Sequence, residues 1–340
     1  MTRIAIEATG CDKGFPAVLE GTRIAMREDP GLEPVLVAGK NKLPEKYRNL
    51  KKIETNYTNR EICLELTENT FNPEVEEFQK NTSIQRAIEM HSSREVEAVV
   101  VPGGTKPAVI YSVRLLRKLP GVERPALAVP FLFDNVLVDA GVNEDCTSKY
   151  LLQFAVMGQV FSKHYLKVES PLIGLLSNGT ESPKGNDLVK ASRPLIERLG
   201  EKEYNISSRY FEPYDMKDRA GGKVFVVDGF TGNEVLKTGE TFSELGAELL
   251  KEEIAKELWL NRVLIKLLLR KPYGRLKEKI DYQNYAAFPL LGINGKVMIA
   301  HGRSDERAIG NAIIATGKYL KRDINTFLAR AIEDTYDLVA

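Results

Sequence analysis

The sequence predicts an α/β protein built on a mostly parallel, doubly wound sheet. Six short apolar runs lack the polar alternation of a half-exposed strand, so each reads as a strand covered on both faces. Each run ends in a turn rich in Gly, Asn and Asp. Apolar residues at helical spacing follow each turn. If all six strands are parallel, all six turns lie along one edge of one sheet. That is where open α/β sheets bind their ligands.

The pattern is plainest from Asn135 to Gly158. Val136, Leu137 and Val138 form the strand, Gly141 breaks it, and Asn143, Glu144 and Asp145 fill the turn. Leu151, Leu152, Phe154, Ala155 and Val160 then recur at helical spacing.

In chain order, Ile4 to Ile6 is a strand leading into a turn from Thr9 to Lys13. A helix over Ala17 to Arg27 and a strand over Pro34 to Ala38 follow. Residues 41–80 are polar and irregular, and read as short elements on the flank of the sheet. Ser83 to Ser92 is a helix with Ile84, Ala87 and Ile88 inward. The strand Ala98 to Val101 ends in the turn Pro102 to Pro107, before a helix over Ala108 to Lys118. Pro125 to Leu132 is a strand that turns into the Asn135 unit. Leu172 to Leu176 leads through Asn178, Gly179, Lys184, Gly185 and Asn186, with a helix expected over Ser182 to Leu199. Residues 200–222 read as surface. Val224 to Val227 leads into Asp228, Gly229, Gly232 and Asn233. Val297 to Ala300 leads into His301, Gly302, Arg303, Ser304 and Asp305, and two closing helices follow, Asp305 to Leu320 and Asn325 to Ile332.

Residues Asn233 to Lys279 are almost wholly helix-forming, with Pro272 and Gly274 as the clear break. Leu258 to Leu269 is largely apolar and carries Trp259, Leu264 and Leu268. Arg262, Lys266 and Arg270 are spaced four apart and share one face. The pattern is a helical hairpin with an apolar tip and a basic stripe. Residues 1–340 read as a single α/β domain with this hairpin inserted at 240–280. The tip is too short to span a bilayer, but it is long enough to lie in an anionic interface. The other reading packs it in a dimer core while its basic residues snorkel.

A net charge of +1 gives no general reason to expect a nucleic-acid partner. Three scattered cysteines, Cys11, Cys63 and Cys146, do not make a disulfide framework, so a reducing cytoplasm is expected. The chain enters a strand at once, which is no signal peptide. No apolar run reaches the ~18 residues needed to cross a bilayer. No metal-ligand spacing appears, and neither a Walker sequence nor GxGxxG is present, so no metal and no cofactor are expected.

The turn glycines let backbone N–H groups approach an anion, and helix N-termini carry partial positive charge. Lys13, Lys106 and Lys184 fall within three of the turns and are expected to converge with Asn143 on one phosphate-sized site. Gly10, Asp12, Gly103, Gly104, Thr105, Asp139, Gly141, Asp145, Gly179, Gly185, Asn186, Asp228, Gly229, Gly232, Asn233, His301 and Ser304 would line it. Any single turn of this kind needs Gly and Asn for its own backbone; the case for a ligand rests on all six together. Cys146 reads as a buried, inert thiol. His301 reads equally as a structural or a ligand-binding residue. His91 and His164 read as helix surface.

Several longer runs carry a resemblance. They are LVDAGVNEDC from Leu137 to Cys146 with LLQFAVMG from Leu151, KGN from Lys184, and DGFTGN from Asp228 with Lys237 and Thr238. YQNY from Tyr282 and AHGRSD from Ala300 complete the set. In this order they resemble the phosphate acyltransferase family of bacterial phospholipid synthesis, PlsX, over nearly the whole chain. The resemblance implies a three-layer α/β/α sandwich like that of the isocitrate and isopropylmalate dehydrogenases, in a homodimer. It implies that inorganic phosphate attacks an acyl thioester on acyl carrier protein, giving acyl phosphate and free carrier. It also implies a cytoplasmic protein peripherally bound to the membrane, able to deliver its product to a membrane glycerol-3-phosphate acyltransferase. Lys13, Asn143 and Lys184 are the expected catalytic residues.

Two turns depart from the family pattern. AMGGDH is replaced by ATGCDK from Ala8, and GNTGA by GGTKP from Gly103. A histidine and an asparagine are exchanged for added positive charge. Two other readings therefore stand beside the first: a related subunit forming a short-chain acyl phosphate from a protein-bound thioester, or a non-catalytic paralogue that binds acyl carrier protein.

Overall fold

The computed structural model describes residues 1–54, 61–69, 79–256 and 287–339. The first half supplies strands β1 (Thr2–Glu7), β2 (Leu32–Gly39), β3 (Lys52–Glu54), β4 (Glu61–Thr67), β5 (Ala98–Pro102), β6 (Ala126–Phe131) and β7 (Asn135–Val138). The second half supplies β8 (Leu172–Leu175), β9 (Lys223–Val226), β10 (Phe288–Leu291) and β11 (Val297–Ala300). They form one sheet in the order β3-β4-β2-β1-β5-β11-β10-β6-β7-β9-β8.

Helices cover both faces. Alternate strand residues point to opposite sides, which divides the core in two. Ile4, Ile6, Val136 and Val138 pack under α1 (Gly14–Glu28), α4 (Ser148–Phe161), α5 (Asp187–Arg198), α7 (Glu306–Leu320) and α8 (Ile324–Glu333). Ala5, Val99, Leu137 and Phe225 face α2 (Ser83–Ser92), α3 (Thr105–Leu115) and α6 (Gly229–Lys256). Helix, sheet and helix make the three layers.

Strand direction corrects the expectation of one shared edge. β1, β2, β4, β5 and β11 run parallel to one another. β10 is antiparallel to β11 and to β6, which restores the first direction at β6. The hairpin to β7 reverses it again, and β9 and β8 follow β7 in parallel. So β1, β5 and β11 end on one edge of the sheet, here the upper edge. β7, β8 and β9 end on the opposite, lower edge. The apolar runs were legible as strands, but period-two patterning carries no information on direction. The strand that makes the switch, β10, has four residues and was not anticipated.

Other differences are local. The polar tract 41–80 contains β4, a seven-residue strand inside the sheet rather than a flank element. α5 begins at Asp187, because Lys184 to Asn186 form its entry turn. α6 begins at Gly229 and runs unbroken for 28 residues. The hairpin tip, with Trp259, Arg262, Leu264, Lys266, Leu268 and Arg270, lies outside the described residues. No helix among the described residues is long and apolar enough to cross a membrane.

Candidate active site

The upper edge gathers Gly10, Asp12 and Lys13 after β1, Gly103 to Lys106 after β5, and His301 to Ser304 after β11. The three turns meet backbone to backbone. Asp12 N–H donates to the Gly302 carbonyl at 2.9 Å, and Gly103 N–H donates to the Ala300 carbonyl at 2.9 Å. Gly103 has φ +79°, and a Cβ there would stand 3.0 Å from the Gly10 carbonyl oxygen and 3.2 Å from Gly302 Cα. Only glycine meets both the dihedral and the space. The Cys11 sulfur lies 3.4 Å from the carbonyl oxygens of both Gly302 and Ser304, which share its one S–H, and burial raises its pKa. It is a buried tie between the β1 and β11 turns.

Below them lies Glu7, the last residue of β1 and fully buried. Its carboxylate accepts from Thr9 N–H at 3.0 Å, Thr9 Oγ1 at 2.8 Å, Gly10 N–H at 2.7 Å and Ser83 Oγ at 2.6 Å. The first turn is thus braced from inside. Sequence reading missed Glu7; an acidic residue ending an otherwise apolar strand was the available signal.

Helix starts distinguish the two edges. On the lower edge, Thr147 caps α4, Asn186 caps α5 and Asp228 accepts from Thr231 N–H at the start of α6. On the upper edge, Thr82 and Asp305 cap α2 and α7, but α1 and α3 have no side-chain cap. The residues at their N-cap positions are Lys13 and Gly104. In these first turns Gly14 N–H donates to the Cys11 carbonyl at 2.9 Å and Pro16 and Pro107 have no N–H, so the backbone donors near exposed Lys13, Lys106 and Arg303 are those of Phe15, Thr105 and Lys106.

The lower-edge residues are occupied with one another. Asp139 is fully buried and accepts from Leu127 N–H at 2.9 Å, and from Asn143 N–H and the Asn143 side-chain amide at 2.7 Å each. Burial pushes its pKa up to about 6 despite those donors. The Asn143 amide also donates to the Pro125 carbonyl at 2.8 Å, so its donor capacity is spent inside the fold. Gly229 N–H donates to the Asn143 carbonyl at 2.7 Å, and a Cβ on Gly232 would overlap the Asp139 carbonyl oxygen. The Gly141 turn packs on Asn233, and Asp145 is exposed. Cys146 is half-buried rather than buried; it donates to the Asn143 carbonyl at 3.3 Å, and desolvation drives its pKa to about 12.

Lys184 is exposed on the lower edge, lying over Gly179, beside Gly185 and the α5 cap Asn186. Strand direction places it opposite Lys13 and Lys106. The structure therefore does not bring the three lysines and Asn143 together within this chain.

α6 joins the two edges. Its first eleven residues rise ~1.5 Å each and span about 16 Å. Gly239 then sits against the Phe131 ring at the upper end of β6. Glu240, the next residue, meets His301 Nε2 at 3.1 Å. That hydrogen bond raises the His301 pKa, against the opposing effect of burial. His91 and His164 are half-buried rather than surface residues. His91 Nε2 accepts from Lys296 N–H at 2.8 Å, and His164 stacks on Phe327. Among the described residues, no group of three or more His, Cys, Asp or Glu could hold a metal ion.

The family profile described as "Fatty acid synthesis protein" matches residues 2–326. A phosphate acyltransferase of Geobacter sulfurreducens is 36% identical over 344 aligned residues, covering 98% of this chain and 95% of its own. The chain belongs to the phosphate acyltransferase family. In fold it is similar to the EutD phosphotransacetylase from Staphylococcus aureus, with a TM-score of 0.53 at 14% identity over 94% of both chains. A 4-hydroxythreonine-4-phosphate dehydrogenase from Klebsiella pneumoniae gives 0.51 at 10% identity, over 94% of this chain and 99% of that one. The three-layer α/β/α architecture expected of a phosphate acyltransferase is the one observed.

Proposed function

We propose that this protein is an acyltransferase moving an acyl group from a thioester to inorganic phosphate, giving acyl phosphate and a free thiol. Family membership supports the reaction class. The observation that supports a site on the upper edge is the pair of helix starts without side-chain caps, α1 and α3, opening there among Lys13, Lys106 and Arg303. Phosphate bound there would take N–H donors from both helices and charge from the side chains. Phosphate is itself the nucleophile and a thiolate leaves readily, so the protein needs no covalent intermediate. Its work is to hold phosphate, align it with the carbonyl and stabilise the oxyanion. Lys13 and Lys106 stand in the two turns that depart from the family pattern, and they keep the edge cationic.

The acyl donor in this reading is acyl carrier protein and the product feeds phospholipid synthesis. A homodimer working at the membrane surface completes it. Support for the membrane contact comes from α6, which carries Phe242 at 70% exposure and Leu249 at 51% before it ends at Lys256. Thiol release from palmitoyl carrier protein and from an acetyl thioester, with and without phosphate, tests the function. Phosphate-dependent release from the palmitoyl substrate is expected. Release from the acetyl thioester alone identifies a short-chain enzyme, and no release from either defeats the proposal. Sedimentation velocity tests the dimer. Co-sedimentation with anionic vesicles, for wild type and Leu264→Glu with Leu268→Glu, tests the membrane contact.

A further inference from the structure

His301 is one of three histidines in the chain and stands on the upper edge, in the turn that packs on Asp12 and Gly103. Its two ring nitrogens have different partners. Nε2 faces Glu240 Oε2 at 3.1 Å, and Nδ1 accepts from Arg303 N–H at 3.3 Å. A backbone N–H can only donate, and a carboxylate can only accept. The proton therefore sits on Nε2 and the lone pair on Nδ1. Glu240 is held on α6, its side chain only 11% exposed, and its other oxygen, Oε1, is buried with no hydrogen-bond partner among the described residues. A buried carboxylate that is only partly satisfied gains most when the imidazole beside it becomes positively charged.

Resting on the function proposed above, we infer that His301 Nδ1 carries the proton of the reaction and that Glu240 is the positioning residue that fixes its tautomer. The P–OH oxygen of phosphate attacks the thioester carbonyl carbon, and its proton passes to Nδ1. The C–O bond forms as the carbonyl π pair moves to oxygen. Collapse of this tetrahedral species breaks the C–S bond, and Nδ1–H protonates the departing sulfur. Imidazole ends as it began, and the products are acyl phosphate and thiol. The relationship of Glu240 to His301 is that of an orienting carboxylate to a general base. The 3.3 Å contact from Arg303 N–H is long, so an incoming phosphate hydroxyl displaces a weak partner. Among the described residues, the charged groups around the ring are Glu240 and Glu244 on α6 and Arg303 in its own turn, with Asp12 beside Gly302.

The test uses the full chain with saturating phosphate and an acyl thioester. His301→Asn should lower kcat by on the order of a hundredfold or more, with little change in KM for phosphate. Glu240→Gln should move the acidic limb of the kcat–pH profile to lower pH, and Glu240→Asp should restore it in part. The sign follows from the base having to be neutral: Glu240 raises the His301 pKa, so its removal keeps the base free at lower pH. A merely structural loss would lower the rate at every pH without moving the limb. Imidazole nitrogen NMR of the wild type should show His301 protonated on Nε2 when neutral, a reading independent of any variant's folding. His301→Asn with kcat within threefold of wild type, an unmoved limb in Glu240→Gln, or an Nδ1–H tautomer each overturns the inference while thiol release by the wild type still stands. A wild type that releases no thiol overturns both proposals.

Discussion

The Ser83 hydroxyl donates to Glu7 Oε1 at 2.6 Å, tying the first residue of α2 to the last residue of β1. Thr9 and Gly10 donate to the same carboxyl group, so the turn that presents Lys13 is built around one buried side chain. Both carboxylate oxygens face donors: Oε1 accepts from the Thr9 N–H and hydroxyl and from Ser83, and Oε2 from the Gly10 N–H.

Replacing Glu7 by Gln tests that brace. Whichever way the amide turns, its NH₂ group faces a backbone N–H, leaving a buried donor unmatched. The expected cost is about 1–3 kcal/mol. It should appear as a lower urea midpoint at unchanged slope, with a raised KM for phosphate because Gly10 shifts. An unchanged midpoint would show that Glu7 does not brace the turn.

Much of this was legible in the chain. Val136 to Val138 and Ala98 to Val101 are apolar without alternation because both faces are covered, and they are strands. The glycines of the upper edge were legible because close backbone packing leaves them no alternative. The sharing of turns between two edges was not legible, because it hangs on the antiparallel pairings of β10. Glu240 was invisible for a similar reason. Eleven residues of helix separate it from the turn that begins α6, and no sequence spacing says that α6 crosses the sheet to His301.

The lysines separate the two edges by experiment. Lys13→Ala and Lys106→Ala should each remove a charge-assisted contact worth on the order of 1.5–3 kcal/mol. Phosphate KM should then rise roughly 10- to 100-fold. Lys184→Ala, across the sheet, should raise it less than either. An equal or larger rise for Lys184→Ala would bring the lower edge into the phosphate site.

Asp139 makes a pH prediction. Burial raises its folded-state pKa to about 6, above the ordinary carboxylate value. Its stabilising contribution is therefore full below the unfolded-state pKa and is lost as pH rises toward 6 and beyond. Urea unfolding of wild type and Asp139→Asn across this range should show the wild type losing stability relative to the variant as pH rises. The expected change is on the order of 2 kcal/mol. A pH-independent difference would mean that the donors from Leu127 and Asn143 hold the carboxylate ionised throughout.

Two glycines in one helix should respond with opposite sign to the same substitution. Helix propensity alone favours Gly→Ala by roughly 0.5–1 kcal/mol. At Gly246 on α6 a Cβ meets nothing within 4 Å, so Gly246→Ala should stabilise by about that amount. At Gly232 the same Cβ would overlap the Asp139 carbonyl oxygen, which belongs to a turn pinned by the buried Asp139 carboxylate and by Gly229 N–H. Neither the turn nor the helix start can give way cheaply, and overpacking of this kind costs typically 1–3 kcal/mol. That exceeds the propensity gain, so Gly232→Ala should lower the midpoint. It should also loosen α6 where it leaves the lower edge, and so disturb the approach of Glu240 to His301 at the far end. Thermal and urea unfolding of the two variants, read side by side, check both signs. Stabilisation by Gly232→Ala would show that the packing of α6 against the Asp139 turn is looser than described.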